Sequence, residues 1–180
     1  MKMRSFSGIH FDPANPDPSV VNIIDIANSL SRICRYGGHC RRDRYSVAEH
    51  SLHVMRVLEE NPGTRHLALS GLMHDAAESM VGDVVSALKT SEYMKGFKDL
   101  EKNWEHAIDV ALNLHGALSD MSYQIKVADL GVRRMEIVQF VEHAESDLLD
   151  LPDIGSFELP EMSRADACSA FLRNFHRLTR

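Results

Sequence analysis

Apolar residues recur every three or four positions along most of this chain, and the stretches where they do so predict helices. From Asn22 onward Ile23, Ile26, Ala27, Leu30 and Ile33 fall on one face, until Gly37-Gly38 stops the run. Ser46-Val47-Ala48-Glu49 has the form of a capping box and opens a helix whose stripe is Val47, His50, Val54, Val57 and Leu58. That stripe turns His50 inward. A third helix is predicted from about Thr64 to Met80, stopped at Gly82, with a short helix or turn from Asp83 to Lys89. Phe97, Leu100, Trp104, Ile108, Ala111 and Leu112 mark a long helix closing at Gly116. Another begins near Ser119 or Asp120 and carries Ile125, Ala128, Val132, Met135, Ile137, Val138 and Val141 toward Pro152. Ser163, with Asp166 three places on, caps a last helix with Ala167, Ala170, Phe171, Phe175 and Leu178 on its apolar side. Before Asn22 the density of Pro13, Pro16 and Pro18 with Gly8 and Asn15 blocks helix, so residues 1–21 read as an extended arm. No β-branched alternation and no repeat appears. The pattern predicts an all-α fold, one compact helical bundle over 22–180 with an N-terminal arm.

One polar intrusion changes that picture. Within Leu67-Ala68-Leu69-Ser70-Gly71-Leu72-Met73-His74-Asp75-Ala76-Ala77-Glu78, an imidazole and a carboxylate sit side by side on an otherwise apolar helix. Burying them unpaired costs on the order of several kcal/mol, and a divalent cation is a partner that satisfies both. His50 upstream and Asp129 downstream offer further ligands from separate helices. The resulting His, His-Asp, Asp set is a mixed nitrogen and oxygen shell suited to Co, Mn, Zn, Fe or Ni, with positions left for water and substrate. Glu78, one helical turn beyond His74, is the natural proton handler; Asp83 is the second candidate, or else the N-cap of the short segment that follows. Arg35 beside the Gly-Gly turn, Lys89, and Lys126 one turn before Asp129 are candidate phosphate cations. The remaining histidines, His53 among them, lack a partner at ligand spacing and read as core or surface residues; His39, in the turn after Arg35, is a candidate for the pocket lining.

Length and charge narrow the classes. A chain of 180 residues builds one core without staples, and three cysteines with no CxxC spacing point to a reducing compartment. No stretch resembles a signal peptide or a membrane span, so the expectation is a cytoplasmic protein, in the host cytoplasm if phage-encoded. A net charge of -6 argues against a general nucleic-acid surface.

Arg35-Tyr36, Tyr45-Ser46-Val47-Ala48-Glu49-His50-Ser51, His74-Asp75-Ala76-Ala77-Glu78, Gly82-Asp83 and Ala128-Asp129 together resemble the HD-domain phosphohydrolases over roughly residues 20 to 140. The similarity is to the branch that includes the YfbR-like 5'-deoxynucleotidases and the bacteriophage dATP triphosphohydrolases of the DatZ type. The resemblance implies an HD-type helical domain in which His50, His74, Asp75 and Asp129 bind a divalent transition metal. It implies Glu78 and Asp83 as catalytic carboxylates and Arg35 on the phosphate. Lys89 and Lys126 match phosphate-binding lysines of the triphosphohydrolase-like members, with Mg on the phosphates, and Tyr36 stands where an aromatic stacks on the nucleoside. The implied activity is hydrolysis of dATP to deoxyadenosine and triphosphate. The alternatives are a 5'-deoxynucleotidase acting on dNMPs and, in another class, a non-catalytic nucleotide sensor. A homo-oligomer is expected from the resemblance alone.

Overall fold

The computed structural model describes residues 2–60, 64–118 and 122–180, and the described residues form an all-α fold. Helix α1 spans Ile23–Leu30, where the Asn22 side chain accepts from the Asp25 amide. The apolar run continues past the helix: α1 stops at Leu30, not at the glycine pair expected to end it. Ile33 and Cys34 belong instead to an extended connection, bridged antiparallel between Cys34 and Ser46, and Arg35 follows it rather than ending α1. The Ile33 carbonyl accepts from the Val47 amide there, and the Tyr45 carbonyl accepts from the Arg35 amide. A tight turn over Arg35–Gly38 follows, with Tyr36 at φ 58° and Gly37 at φ 59°.

Helix α2, Val47–Glu59, begins at Ser46 with both hydrogen bonds of the capping box in place. Helix α3, Arg65–Met73, packs along α2. Gly71 allows the close approach, since a Cβ there would lie 2.5 Å from Leu58 Cδ1 and 3.4 Å from Met55 Cα. The helix expected to run unbroken to Met80 is interrupted. His74 Nδ1 donates to the Gly71 carbonyl at 2.8 Å, taking up the acceptor that a continuing α-helix offers to the Asp75 amide. The next bonds close three residues back, from Ala76 to Met73 and from Glu78 to Asp75. Helix α4, Glu78–Val81, then ends at Gly82 with φ 86°, and α5 is a single turn, Ser86–Lys89.

Helix α6, Phe97–Leu112, ends at a left-handed Asn113, before the Gly116 stop expected for it. The next helix was expected to begin near Ser119 or Asp120, which lie outside the described residues; α7, Tyr123–Phe140, is capped by Ser122. Helix α8, Arg164–Thr179, is capped by Ser163 as its sequence indicates. Two short strands, β1 (Met3–Arg4) and β2 (His10–Phe11), pair antiparallel ahead of α1, a hairpin too short to leave an alternating pattern. Phe11 sets its ring edge-on to the buried Trp104, whose indole N–H donates to the Pro13 carbonyl. The main core joins α1, α2, α3, α6 and α8 through Ile26, Leu30, Leu52, Leu72, Trp104, Ile108 and Phe171. Helix α7 lies across α2 and α3, sealed by Val54, Leu58, Ile125 and Val132. Among the described residues no helix is long and apolar enough to cross a membrane.

Candidate metal centre

Three separate elements deliver the candidate ligands. His50 stands in the second turn of α2 and is fully buried; His74 and Asp75 occupy the break after α3; Asp129 projects from the second turn of α7. Donor atoms of His50, His74 and Asp129 all lie within 4.8 Å of one another, a group able to hold a metal ion. His50 Nε2 is 3.0 Å from Asp129 Oδ1, and His74 Nε2 is 3.8 Å from the same oxygen. Asp75 Oδ2 lies 3.3 Å from His74 Nε2 and 3.9 Å from His50 Nε2. The four residues therefore converge.

The surroundings of each ring nitrogen test whether a cation fits. His74 spends Nδ1 on the Gly71 carbonyl, which leaves Nε2 to face the acids. That Nε2 is buried and has no hydrogen-bond partner. A buried polar atom without a partner is expensive, and a cation bound by the imidazole lone pair accounts for it. His50 faces Asp129 and Asp75 with Nε2, while its Nδ1 lies 2.6 Å from Glu136 Oε1. The residues fit a mixed nitrogen and oxygen metal site.

Electrostatics separates the acids. Although burial works to raise it, His74, His50 and Arg35 hold the Asp75 carboxyl far below the usual carboxylate range. Burial lowers the His74 pKa, but Asp75 and Asp129 outweigh it and bring it to about 9. Glu78 behaves in the opposite way. Burial together with Asp75 and Asp83 pushes its carboxyl up to about 9, against the pull of Lys89. Burial also raises Asp83. Asp75 and Glu78, three residues apart in a segment closed by three-residue bonds, fall on one side and line the same pocket.

That pocket, about 200 Å³, is walled by Arg35, Tyr36, Asp75, Glu78, Asp83, Lys89, Asp129 and Arg133, with Val84 to Ser86 along its rim. Arg35 NH1 is 3.5 Å from Asp75 Oδ2, and its Nε donates to Glu136 at 3.2 Å. Lys89 Nζ donates to Glu78 Oε1 at 3.0 Å and to Glu101 Oε1 at 2.8 Å. Asp83 lines the pocket and does not cap α5, which has no side-chain cap. Tyr36 also lines it, but its hydroxyl donates to Glu136 Oε2 at 2.5 Å.

Two expected residues lie elsewhere. Lys126 is exposed and absent from the pocket wall, and His39 is exposed at the end of the turn after Tyr36. The basic residue that α7 does place in the wall is Arg133, one turn after Asp129, with NH1 donating to Ser86 Oγ at 3.3 Å. Sequence reading also passed over Glu136, fully buried and in contact with Arg35, Tyr36, Tyr45 and His50. Arg35 and His50 hold its carboxyl down to about 2 despite burial, which alone would raise it. The available signal was its position seven residues after Asp129, two turns along one helix face.

No family model matches the chain. It is 33% identical over 148 residues to an uncharacterized protein of Rhodobacter capsulatus, covering 80% of this chain and 75% of that protein. It is 36% identical over 131 residues to the uncharacterized protein YfdR of Escherichia coli K12, covering 71% of this chain and 66% of that one.

Proposed function

The chain belongs to the family of the Rhodobacter capsulatus protein, and we propose that it is a divalent-metal-dependent phosphohydrolase acting on the 5′ phosphate ester of deoxynucleotides. The observation that carries this reading is the convergence of His50, His74 and Asp129 within 4.8 Å, with Asp75 and Asp129 opening onto a pocket that also holds three cationic side chains. The similarity of the motifs to HD-type phosphohydrolases supports the choice of substrate class.

His50, His74, Asp75 and Asp129 would hold the ion, and their nitrogen and oxygen donors suit Mn, Co, Fe, Ni or Zn; Mg suits the phosphate oxygens. Such an ion, when bound, supplies Lewis acidity and a water of lowered pKa. The chain's own groups do the rest. Arg35 and Arg133 offer guanidinium donors to phosphate oxygens, and Lys89 offers a third cation beside Glu78. Glu78, whose carboxyl burial, Asp75 and Asp83 push up to about 9 against the pull of Lys89, is the acid placed to give the departing 5′ oxygen its proton. A binding-only sensor has no chemical need for both Glu78 and Asp83.

Two substrates break the same bond, between the 5′ oxygen and the α-phosphorus. From dATP the products are deoxyadenosine and triphosphate; from a dNMP they are the deoxynucleoside and orthophosphate. The triphosphate reading draws on Lys89 and Lys126 together. The exposure of Lys126 outside the pocket favours the monophosphate reading. Incubation of the purified protein with each dNTP and each dNMP, in Mn, Co or Mg, with products separated chromatographically, decides between them. Triphosphate release from dATP supports the first, and orthophosphate from dNMPs alone supports the second. Absence of hydrolysis of all eight under every ion overturns the proposal.

A further inference from the structure

Glu136 is fully buried in α7 and takes no part in the chemistry proposed above, yet four donors converge on its two oxygens. His50 Nδ1 at 2.6 Å and the Tyr45 hydroxyl at 2.9 Å share Oε1. The Tyr36 hydroxyl at 2.5 Å and Arg35 Nε at 3.2 Å share Oε2. One oxygen thus faces a metal-ligand imidazole, and the other faces the arginine of the pocket. The Tyr36 backbone is left-handed at φ 58°, a conformation that side-chain-bearing residues take with strain, so something must hold it there. The hydroxyl bond to Glu136 ties the Tyr36 ring down on one side of this turn, next to Arg35, whose NH1 lies 3.5 Å from Asp75 Oδ2.

We infer that Glu136 is a positioning residue for both halves of the site: Oε1 fixes the His50 tautomer with its Nε2 lone pair toward the cation, and Oε2 fixes Arg35 toward the phosphate. This rests on the reading of His50 as a metal ligand and Arg35 as a phosphate ligand. A neutral imidazole that donates from Nδ1 presents an unprotonated Nε2, the form that ligates. A carboxylate achieves this and holds the guanidinium at once because both of its oxygens accept.

Glu136→Gln separates the two demands. An amide has one accepting oxygen, and the charged Arg35 keeps it, since charge-assisted bonds are the stronger. The amide NH₂ then meets His50 and forces the imidazole to accept at Nδ1 and carry its proton on Nε2. The expected result is a fall in Co²⁺ affinity of about 10- to 100-fold, measured by titration calorimetry, with an unchanged helical circular dichroism spectrum. Arg35 keeps its acceptor in Glu136→Gln and loses it in Glu136→Leu, so the guanidinium is freed only in the latter, where inorganic phosphate binding to the metal-free protein is expected to weaken by roughly threefold or more. Tyr45→Phe removes one donor from the same carboxylate but spares His50, and keeps Co²⁺ affinity near wild type. Unchanged Co²⁺ affinity in folded Glu136→Gln overturns the His50 half, and phosphate affinity unchanged or raised in folded Glu136→Leu overturns the Arg35 half. If the variant does not fold, the imidazole ¹⁵N spectrum of the wild-type protein decides: a His50 proton on Nδ1 supports the inference, and one on Nε2 overturns it. A wild-type protein that binds no divalent ion instead removes the proposed function itself, a result distinct from wild-type binding that survives the substitution.

Discussion

Asp129 has a basic residue one helical turn away in each direction, Lys126 before it and Arg133 after it, and only Arg133 reaches the pocket. The difference follows from helix geometry. Every Cα–Cβ bond in α7 tilts toward the helix N-terminus, so Arg133 leans back over Asp129 while Lys126 leans away from it. Spacing alone treats the two alike; side-chain direction does not. Lys126→Ala is therefore expected to leave the Michaelis constant for the nucleotide unchanged, whereas Arg133→Ala raises it about tenfold or more, the loss of one charge-assisted phosphate bond. Steady-state kinetics on the two variants checks this, and a larger effect at Lys126 than at Arg133 contradicts it. His50, His74, Asp75 and Asp129 were legible beforehand because imidazoles and acids on apolar stripes demand a partner. Glu136 was not, because a single Glu between Met135 and Ile137 reads like any solvent-facing position until Arg35, Tyr36 and Tyr45 fold over it.

At the level of the element, periodicity located the helices better than it located their ends. The apolar spacing through Ile33 and past His74 persists where the backbone has already left the α-helix, because a buried turn needs apolar residues as much as a buried helix does. What ended both segments was a competing partner that apolar spacing does not register: the Cys34 bridge to Ser46 in the first, and in the second the His74 imidazole bonded to the Gly71 carbonyl three residues back. Helix α2 holds a further histidine one turn after His50. His53 is buried between Tyr45, stacked at 6.4 Å, and Phe157 at 6.2 Å, and its Nε2 has no hydrogen-bond partner. Burial drives its pKa from 6.5 down to about 4, with Glu136 opposing the fall. The unfolded chain thus takes up this proton first as pH drops. Above 6.5 the ring is neutral in both states and its titration costs the fold nothing; between 6.5 and 4 stability is lost, up to about 3 kcal/mol from this one group. Urea unfolding of the wild type and of His53→Leu at pH 7.5 and pH 4.5 checks the sign. The variant is expected to lose less stability over that interval than the wild type, and an equal or greater loss contradicts a neutral, buried His53.

For the whole molecule, the candidate ligands come from α2, from the break after α3 and from α7, and they span residues 50 to 129. An unfolded chain does not hold such distant groups within 4.8 Å, so an ion that binds this set binds the folded state and stabilises it by linkage. At a free ion concentration 100 times the dissociation constant the gain is about 2.7 kcal/mol. For a domain of this size that corresponds to a rise in melting temperature of roughly 5–10 °C. His74→Ala removes one of the candidate ligands. Its melting temperature is expected to be insensitive to Mn²⁺, Co²⁺, Ni²⁺ or Zn²⁺, while the wild type rises with at least one of them and falls back on addition of EDTA. Lys126→Ala, altered outside the pocket, keeps the wild-type response. The set of three curves assigns the stabilisation to the centre rather than to surface carboxylates, because ion binding to exposed Asp and Glu raises all three proteins together. A wild-type melting temperature unmoved by every one of these ions, in chelator-stripped protein, removes the metal from the account of both fold and function.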